Sequence, residues 1–237
     1  PVPTVDGKLT PALIDAACKP LGDEHSVVPR LVYISNSTEL GTVYSRTDLS
    51  DLRDACDRNG LFLYLDGARL GQALVTDVVS FEDFARYCDA FYIGGTKNGA
   101  LYGEAIVLVN LQFQGRFRNL MKQHGTMLAK GKFIGAQFVA LFEDDLYLSL
   151  ARVAKDRAYT LREGILDLGY LLHVETETNQ IFPVFPVTVI EELKKLHEFY
   201  DWGEPEGAEG TVRLVTSWKT TPDDVASFLA DLRRIGQ

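Results

Sequence analysis

Four short apolar runs, closing on asparagine, aspartate-glycine or glycine and the first three separated by stretches of helical length, constrain this chain more than anything else in it. They are "RLVYISN" (30–36), "LFLYLDGA" (61–68), "AFYIGG" (90–95) and "EAIVLVN" (104–110). Each is apolar on consecutive rather than alternate positions, the pattern of strands covered on both faces. Between the first two lies "SRTDLSDLRDACDRNG", a helix closed by Gly60, and between the next two "SFEDFARYCD", a helical turn or two. Ahead of them, "DGKLTPALIDAACKPL" sets Thr10 as an N-cap and Pro11 as first helical residue, with Leu13, Ile14, Ala17 and Leu21 at helical spacing. Strands alternating with helices in this way give βαβ units and an α/β fold with a mostly parallel sheet. In such sheets chemistry gathers just beyond the carboxyl ends of the strands.

From Lys132 the pattern changes. Residues 132–169 carry no proline and few glycines, and read as one long helix linking two domains. Short strands follow in "LLHVE" and "QIFPVFP", then a helix in "VTVIEELKKLHEFY" and the acidic, glycine-rich loop "DWGEPEGAEG". The strand "TVRLVTS" and a last helix after Pro222 complete the chain. The expected division is a larger sheet domain over 1–130 and a smaller α+β domain over 131–237.

With 237 residues, 46% of them hydrophobic, the chain can bury a substantial core. Lysine and arginine number 24 against 33 aspartate and glutamate, a net charge of -9 that argues against nucleic acid or an anionic membrane as partner. Small molecules or other subunits fit better. Cys18, Cys56 and Cys88 show no CxxC spacing, which disfavours a disulfide framework or zinc site and suits a reducing cytoplasm. No apolar run approaches the roughly 18 residues of a membrane helix. The opening "PVPTVDGKLTP" has neither the basic start nor the apolar stretch of a signal peptide, and resembles a point inside a longer chain.

Two strand ends carry the chemistry. One run ends in Asp66, Gly67 and Arg69, the next in Thr96 and Lys97. An arbitrary lysine after a strand is most often a solvated loop charge, and an aspartate before glycine most often a turn former. The two can also form a plain structural ion pair. Around Lys97, however, Gly94, Gly95 and Gly99 permit close backbone approach that a surface lysine does not require. A lysine partly removed from water has a lowered pKa and can form a Schiff base with the carbonyl of pyridoxal phosphate. That cofactor needs a carboxylate on its pyridine nitrogen, which Asp66 can supply. The Walker spacing and the G-x-S-x-G elbow are both absent.

"YLDGARLGQAL" followed by "YIGGTKNGALYGEAIVL" resembles the cofactor-binding core of the low-specificity threonine aldolases, in the β-eliminating lyase group with the aspartate aminotransferase type of fold. "DGKLTP", "NSTELGTVYS" and "VRLVTSW" extend the resemblance over nearly the whole chain. It implies a fold type I sheet that binds pyridoxal 5'-phosphate, with Lys97 forming the Schiff base and Asp66 on the pyridine nitrogen. Thr96 would contact the phosphate. Arg69 would stand with these three around the cofactor and, with Arg213, match the arginines that grip the substrate carboxylate through a rigid fork.

The resemblance also implies retro-aldol cleavage of threonine or allo-threonine to glycine and acetaldehyde, in a homodimer or homotetramer. Other reactions of the same cofactor, such as β-elimination or transamination, remain alternatives, as does a protein that keeps the fold without the cofactor. The family's ring-stacking histidine and its glycine-threonine phosphate turn would precede Pro1. His25, His173 and His197 have no link to the site, whereas His124 lies in "MKQHGTMLAKG", where the family usually has glycine. Leu128 stands where the family has an arginine, with Lys130 as a replacement.

Overall fold

A computed structural model describes residues 1–19, 25 and 27–236. The Thr10 hydroxyl accepts from the Leu13 amide and Pro11 opens α1 (Pro11–Ala17); Leu21 falls outside the described residues. β1 (Leu31–Ser35) leads to α2 (Arg46–Asn59), which starts at a reciprocal Ser45–Asp48 capping box and ends at Gly60 in the left-handed region (φ 65). After β2 (Phe62–Asp66) come α3 (Leu70–Leu74) and α4 (Phe81–Tyr87), the latter capped reciprocally by Ser80 and Asp83. β3 (Ala90–Ile93), β4 (Ala105–Leu108) and α5 (Phe117–Gln123) complete this half. The sheet order is β1-β2-β3-β4, with the first three strands parallel and β4 antiparallel to β3. Ser35 pairs with Asp66, so the carboxyl ends of β1 and β2 lie level.

The first two strands are not covered on both faces. Val32, Ile34, Leu63 and Leu65 are buried in the first core, but Leu31 is 52% and Tyr33 54% exposed. The alternate positions hold amphipathic aromatics, and Tyr33 stacks on Tyr64 at 5.4 Å with its hydroxyl directed to a polar partner. A run that counts as continuously apolar is in fact one-sided.

The expected single long helix is two. α6 (Lys132–Phe142) and α7 (Leu146–Asp167) are separated at Glu143–Asp145, where Asp144 (φ 50) and Asp145 (φ 57) are left-handed. Aspartate tolerates that conformation better than most residues. The break lets the Phe142 ring stack on Tyr147 at 5.3 Å instead of leaving it a helix turn away. Leu141 and Tyr147 belong to the same core as the first sheet.

The second sheet is built from β5 (Leu171–Leu172), β6 (Gln180–Ile181), β7 (Pro183–Pro186), β8 (Tyr200–Asp201) and β9 (Glu209–Val215). Its order is β5-β7-β9-β6, with β8 also paired to β9 and all pairings antiparallel. α8 (Val187–Leu193) is shorter than its sequence suggests, and Tyr200, expected at its end, opposes Arg213 in a strand. α9 (Pro222–Ile235) starts from a Thr221–Asp224 capping box. The second core joins Ile165, Phe185, Val212, Phe228 and Leu232. No described helix is long and apolar enough to cross a membrane.

Candidate active site

Asp66 is the last residue of β2, and donors surround its carboxylate. The Tyr92 hydroxyl (2.5 Å) and the Ala68 amide (2.9 Å) donate to Oδ1, and the Tyr33 hydroxyl donates to Oδ2. Burial alone would push this carboxyl up. The three hydrogen bonds and the Lys97 charge outweigh it and hold Asp66 below the usual carboxylate range. Burial, then the bond to Asp66, pushes Tyr33 and Tyr92 up, so both stay protonated donors.

The strand ends are pressed together through glycine. A Cβ at Gly67 would sit 1.8 Å from the Tyr92 carbonyl oxygen, and one at Gly94 2.4 Å from that of Ala68. Both obstacles are backbone, so neither position accepts a side chain without moving a strand. The chain then enters the one-turn 3₁₀ segment Thr96–Asn98, which carries Lys97.

Lys97 is exposed and lines a cavity of about 260 Å³ with Arg69, Thr96, Asn179, Thr216 and Trp218. Partial burial, then the charge of Arg69, lowers its pKa against the opposing pull of Glu39, Asp66 and Glu104. Arg69 is itself lowered, first by burial and then by the charge of Arg213, though Glu39 and Asp66 oppose this. Among the described residues, neither guanidinium makes a hydrogen bond or an ion pair, and the Arg213 Nε is buried without a partner.

Arg213 lies on β9 and does not line the Lys97 cavity. It lines a neighbouring one of about 330 Å³ with His197 and Tyr200. The Thr96 hydroxyl, expected to meet a phosphate, donates to Glu104 Oε1 at 2.8 Å, and the Gly95 amide donates to Oε2 of the same carboxylate. His124 is the exposed C-cap of α5, and Leu128 and Lys130 are also exposed; none of the three lines either cavity.

α7 organises the surroundings. The Tyr147 hydroxyl donates to the Gly94 carbonyl at 2.9 Å. Three carbonyls on one face of the helix accept side-chain bonds: Tyr147 O from Asn98 (2.7 Å), Ala151 O from Gln72 (3.0 Å) and Ala154 O from Thr216 (2.6 Å). Their spacing of four and three residues keeps them on one stripe. The segments after β2, β3 and β9 are all fastened to it.

Sequence reading had not picked out Tyr33, Tyr92, Glu104 or this stripe. The two tyrosines leave a faint trace, as phenol hydroxyls inside runs that are otherwise mostly apolar. Asn98 and Thr216 left none, because a buried partner on a distant helix has no local signature.

The β-eliminating lyase family model matches residues 1–187. The low-specificity L-threonine aldolase of Pseudomonas aeruginosa is 33% identical over 233 residues, which span 97% of this chain and 66% of that protein. The chain thus spans slightly less than two thirds of that relative's length. The solved structure of Leishmania major threonine aldolase superposes with a TM-score of 0.95 at 38% identity, covering 99% of this chain and 69% of that one. Serine palmitoyltransferase of Sphingomonas wittichii, at 14% identity and a TM-score of 0.65 over 94% of this chain and 58% of its own, shares the fold alone. Strand order, the lysine turn, the aspartate at the preceding strand end and these likenesses agree, and the chain belongs to the β-eliminating lyase family.

Proposed function

We propose that the protein containing this chain is a pyridoxal 5'-phosphate-dependent aldehyde-lyase that cleaves threonine or allo-threonine to glycine and acetaldehyde. The observation that carries the reading is a lysine in the turn after β3, lining a cavity, with a carboxylate at the end of the neighbouring β2 that accepts three hydrogen bonds. The residues fit the cofactor. Asp66 retains acceptor capacity beyond its three donors, Lys97 lines an open cavity, and the Gly67 and Gly94 backbone leaves no side chain in the way.

Pyridoxal phosphate, when bound, would supply an electron sink for the carbanion left by Cα–Cβ cleavage. Lys97 would be the amine that links to the cofactor carbonyl, and its lowered pKa raises the fraction of nucleophilic free base at neutral pH. Asp66 holds a proton on the ring nitrogen, and Tyr33 and Tyr92 hold Asp66 in place. Arg69 and Arg213, which make no ion pair among the described residues, would grip the substrate carboxylate and so select which bond at Cα is aligned for cleavage. Thr96 would contact the phosphate, in exchange for its present bond to Glu104.

We also place the domain division at residue 130, ahead of α6, with 1–130 carrying the cofactor and 131–237 bringing Arg213. Assembly as a homodimer or homotetramer is supported by apolar side chains open to solvent between residues 101 and 139. Leu101 is 82%, Leu111 77%, Phe133 61% and Val139 70% exposed. A cytoplasmic setting fits three free cysteines, of which Cys56 and Cys88 are pushed by burial to about 11 and about 12.

The test is chemical. The purified protein is expected to be yellow, to lose its colour with borohydride while Lys97 is labelled, and to release acetaldehyde from threonine. Ammonia and a keto acid in place of acetaldehyde would overturn the aldolase reading. Colourless protein that takes up no cofactor would overturn the enzyme reading.

A further inference from the structure

Arg213 is a cation held by rings. Its guanidinium carbon lies 5.3 Å from the Tyr200 ring centre and 5.7 Å from that of Trp202. Tyr200 sits directly opposite it in the β8–β9 register. Trp202 is fixed twice, by its amide donating to the Thr211 carbonyl at 2.9 Å and by an edge contact of 4.9 Å with the fully buried Phe182. Asp201, between the two rings, is ion-paired to Lys194 at 2.5 Å, which ties the two-residue strand to the end of α8.

Arg213 and Arg69 are like charges near enough to interact, so neither steadies the other. No acid holds Arg213 among the described residues. A carboxylate partner would secure it but would also cancel the charge a substrate carboxylate needs. Aromatic faces attract the cation without neutralising it or occupying its in-plane N–H donors.

We infer that Tyr200 and Trp202 are positioning residues that hold the Arg213 guanidinium ready for the carboxylate of an α-amino acid. This rests on the carboxylate role proposed above for Arg213. The rings act on the ligand only through the arginine, so their loss weakens carboxylate recognition and leaves amine recognition at Lys97 untouched.

Two measurements on the full protein test this. The first needs no cofactor: the rate at which phenylglyoxal modifies Arg213, followed by peptide mass spectrometry. Tyr200→Leu and Trp202→Leu are expected to raise it about threefold or more, and Tyr200→Phe to leave it unchanged. The second is the Kd of the holoenzyme for glycine and for ethanolamine, which has the amine but no carboxylate, read from cofactor absorbance. Each leucine variant is expected to weaken glycine about two- to fivefold, with ethanolamine unchanged and Tyr200→Phe within about twofold of the parent.

An unchanged modification rate, or an equal loss for glycine and ethanolamine, overturns the proposal. Faster modification with unchanged glycine binding shows a clamp with no positioning role and overturns it too. Arg213→Leu is the control for the underlying reading: if it leaves glycine binding unchanged, the carboxylate role itself is wrong. Tyr200 is 70% exposed, so its variants keep the test decisive even if Trp202→Leu does not fold.

Discussion

Asp66 and Arg213 are the charged groups that the fold treats most differently. Asp66, at the end of a parallel strand, receives two tyrosine hydroxyls and a backbone amide. Arg213, on a small antiparallel sheet, donates no hydrogen bond from its buried Nε among the described residues and rests against two aromatic faces. A buried charge satisfied by its own protein contributes to stability and has a fixed ionisation state. A charge held without being neutralised contributes little to stability and retains most of its capacity for a ligand. Where a fold spends its hydrogen bonds therefore separates the groups that must stay in one state from those that must respond.

The comparison can be tested by substitution. The largest effect belongs to Lys97→Ala, which is expected to abolish borohydride-trapped cofactor and to lower acetaldehyde release by about 10³-fold or more. Asp66→Asn is expected to lower kcat about 10²-fold, measured by the same release, and also to lower the urea midpoint, because Tyr33 and Tyr92 lose the anion they were placed to meet. Arg213→Leu should raise KM for threonine by roughly tenfold or more yet leave the urea midpoint unchanged. If it destabilises the protein as much as Asp66→Asn does, the contrast between the two groups fails.

The smallest effect sharpens the contrast through pH. Hydrogen bonds depress the Asp66 pKa in the folded protein, so its contribution to stability is present above the unfolded carboxylate range and is lost as pH falls through the folded value. Tyr92→Phe removes one of these bonds and moves the folded value upward. Acid unfolding should then begin at higher pH, with about 1 kcal/mol lost at neutrality, as urea titrations across pH would show.

The two sheets were not equally legible. The parallel one declared itself because each strand and helix is local, long enough to show a period, and punctuated by residues with a physical task, such as the caps Thr10 and Ser45 and the stop at Gly60. In the small sheet β5, β6, β7 and β9 fall on the runs "LLHVE", "QIFPVFP" and "TVRLVTS", but β8 hid because two residues are too few for any alternation and it exists through its pairing with β9. Tyr200 was read into a helix for that reason. The break at Asp144 escaped because three consecutive acids look like a solvated helix turn until Phe142 and Tyr147 show what the turn brings together. Lys97 and Asp66 were legible as a pair of strand ends. Their donors and fastenings were not, since these come from β1, β3 and α7, and partnership across elements leaves no spacing to read.

The stripe of carbonyls on α7 makes that helix a ruler. Asn98, beside Lys97, is fastened at Tyr147, and Thr216, three residues beyond Arg213, is fastened at Ala154. Seven residues of helix span about 10 Å and do not stretch. The separation between Lys97 and Arg213 is therefore tied to helical rise, and changing it would mean moving the segments that carry them along or away from one rigid rod.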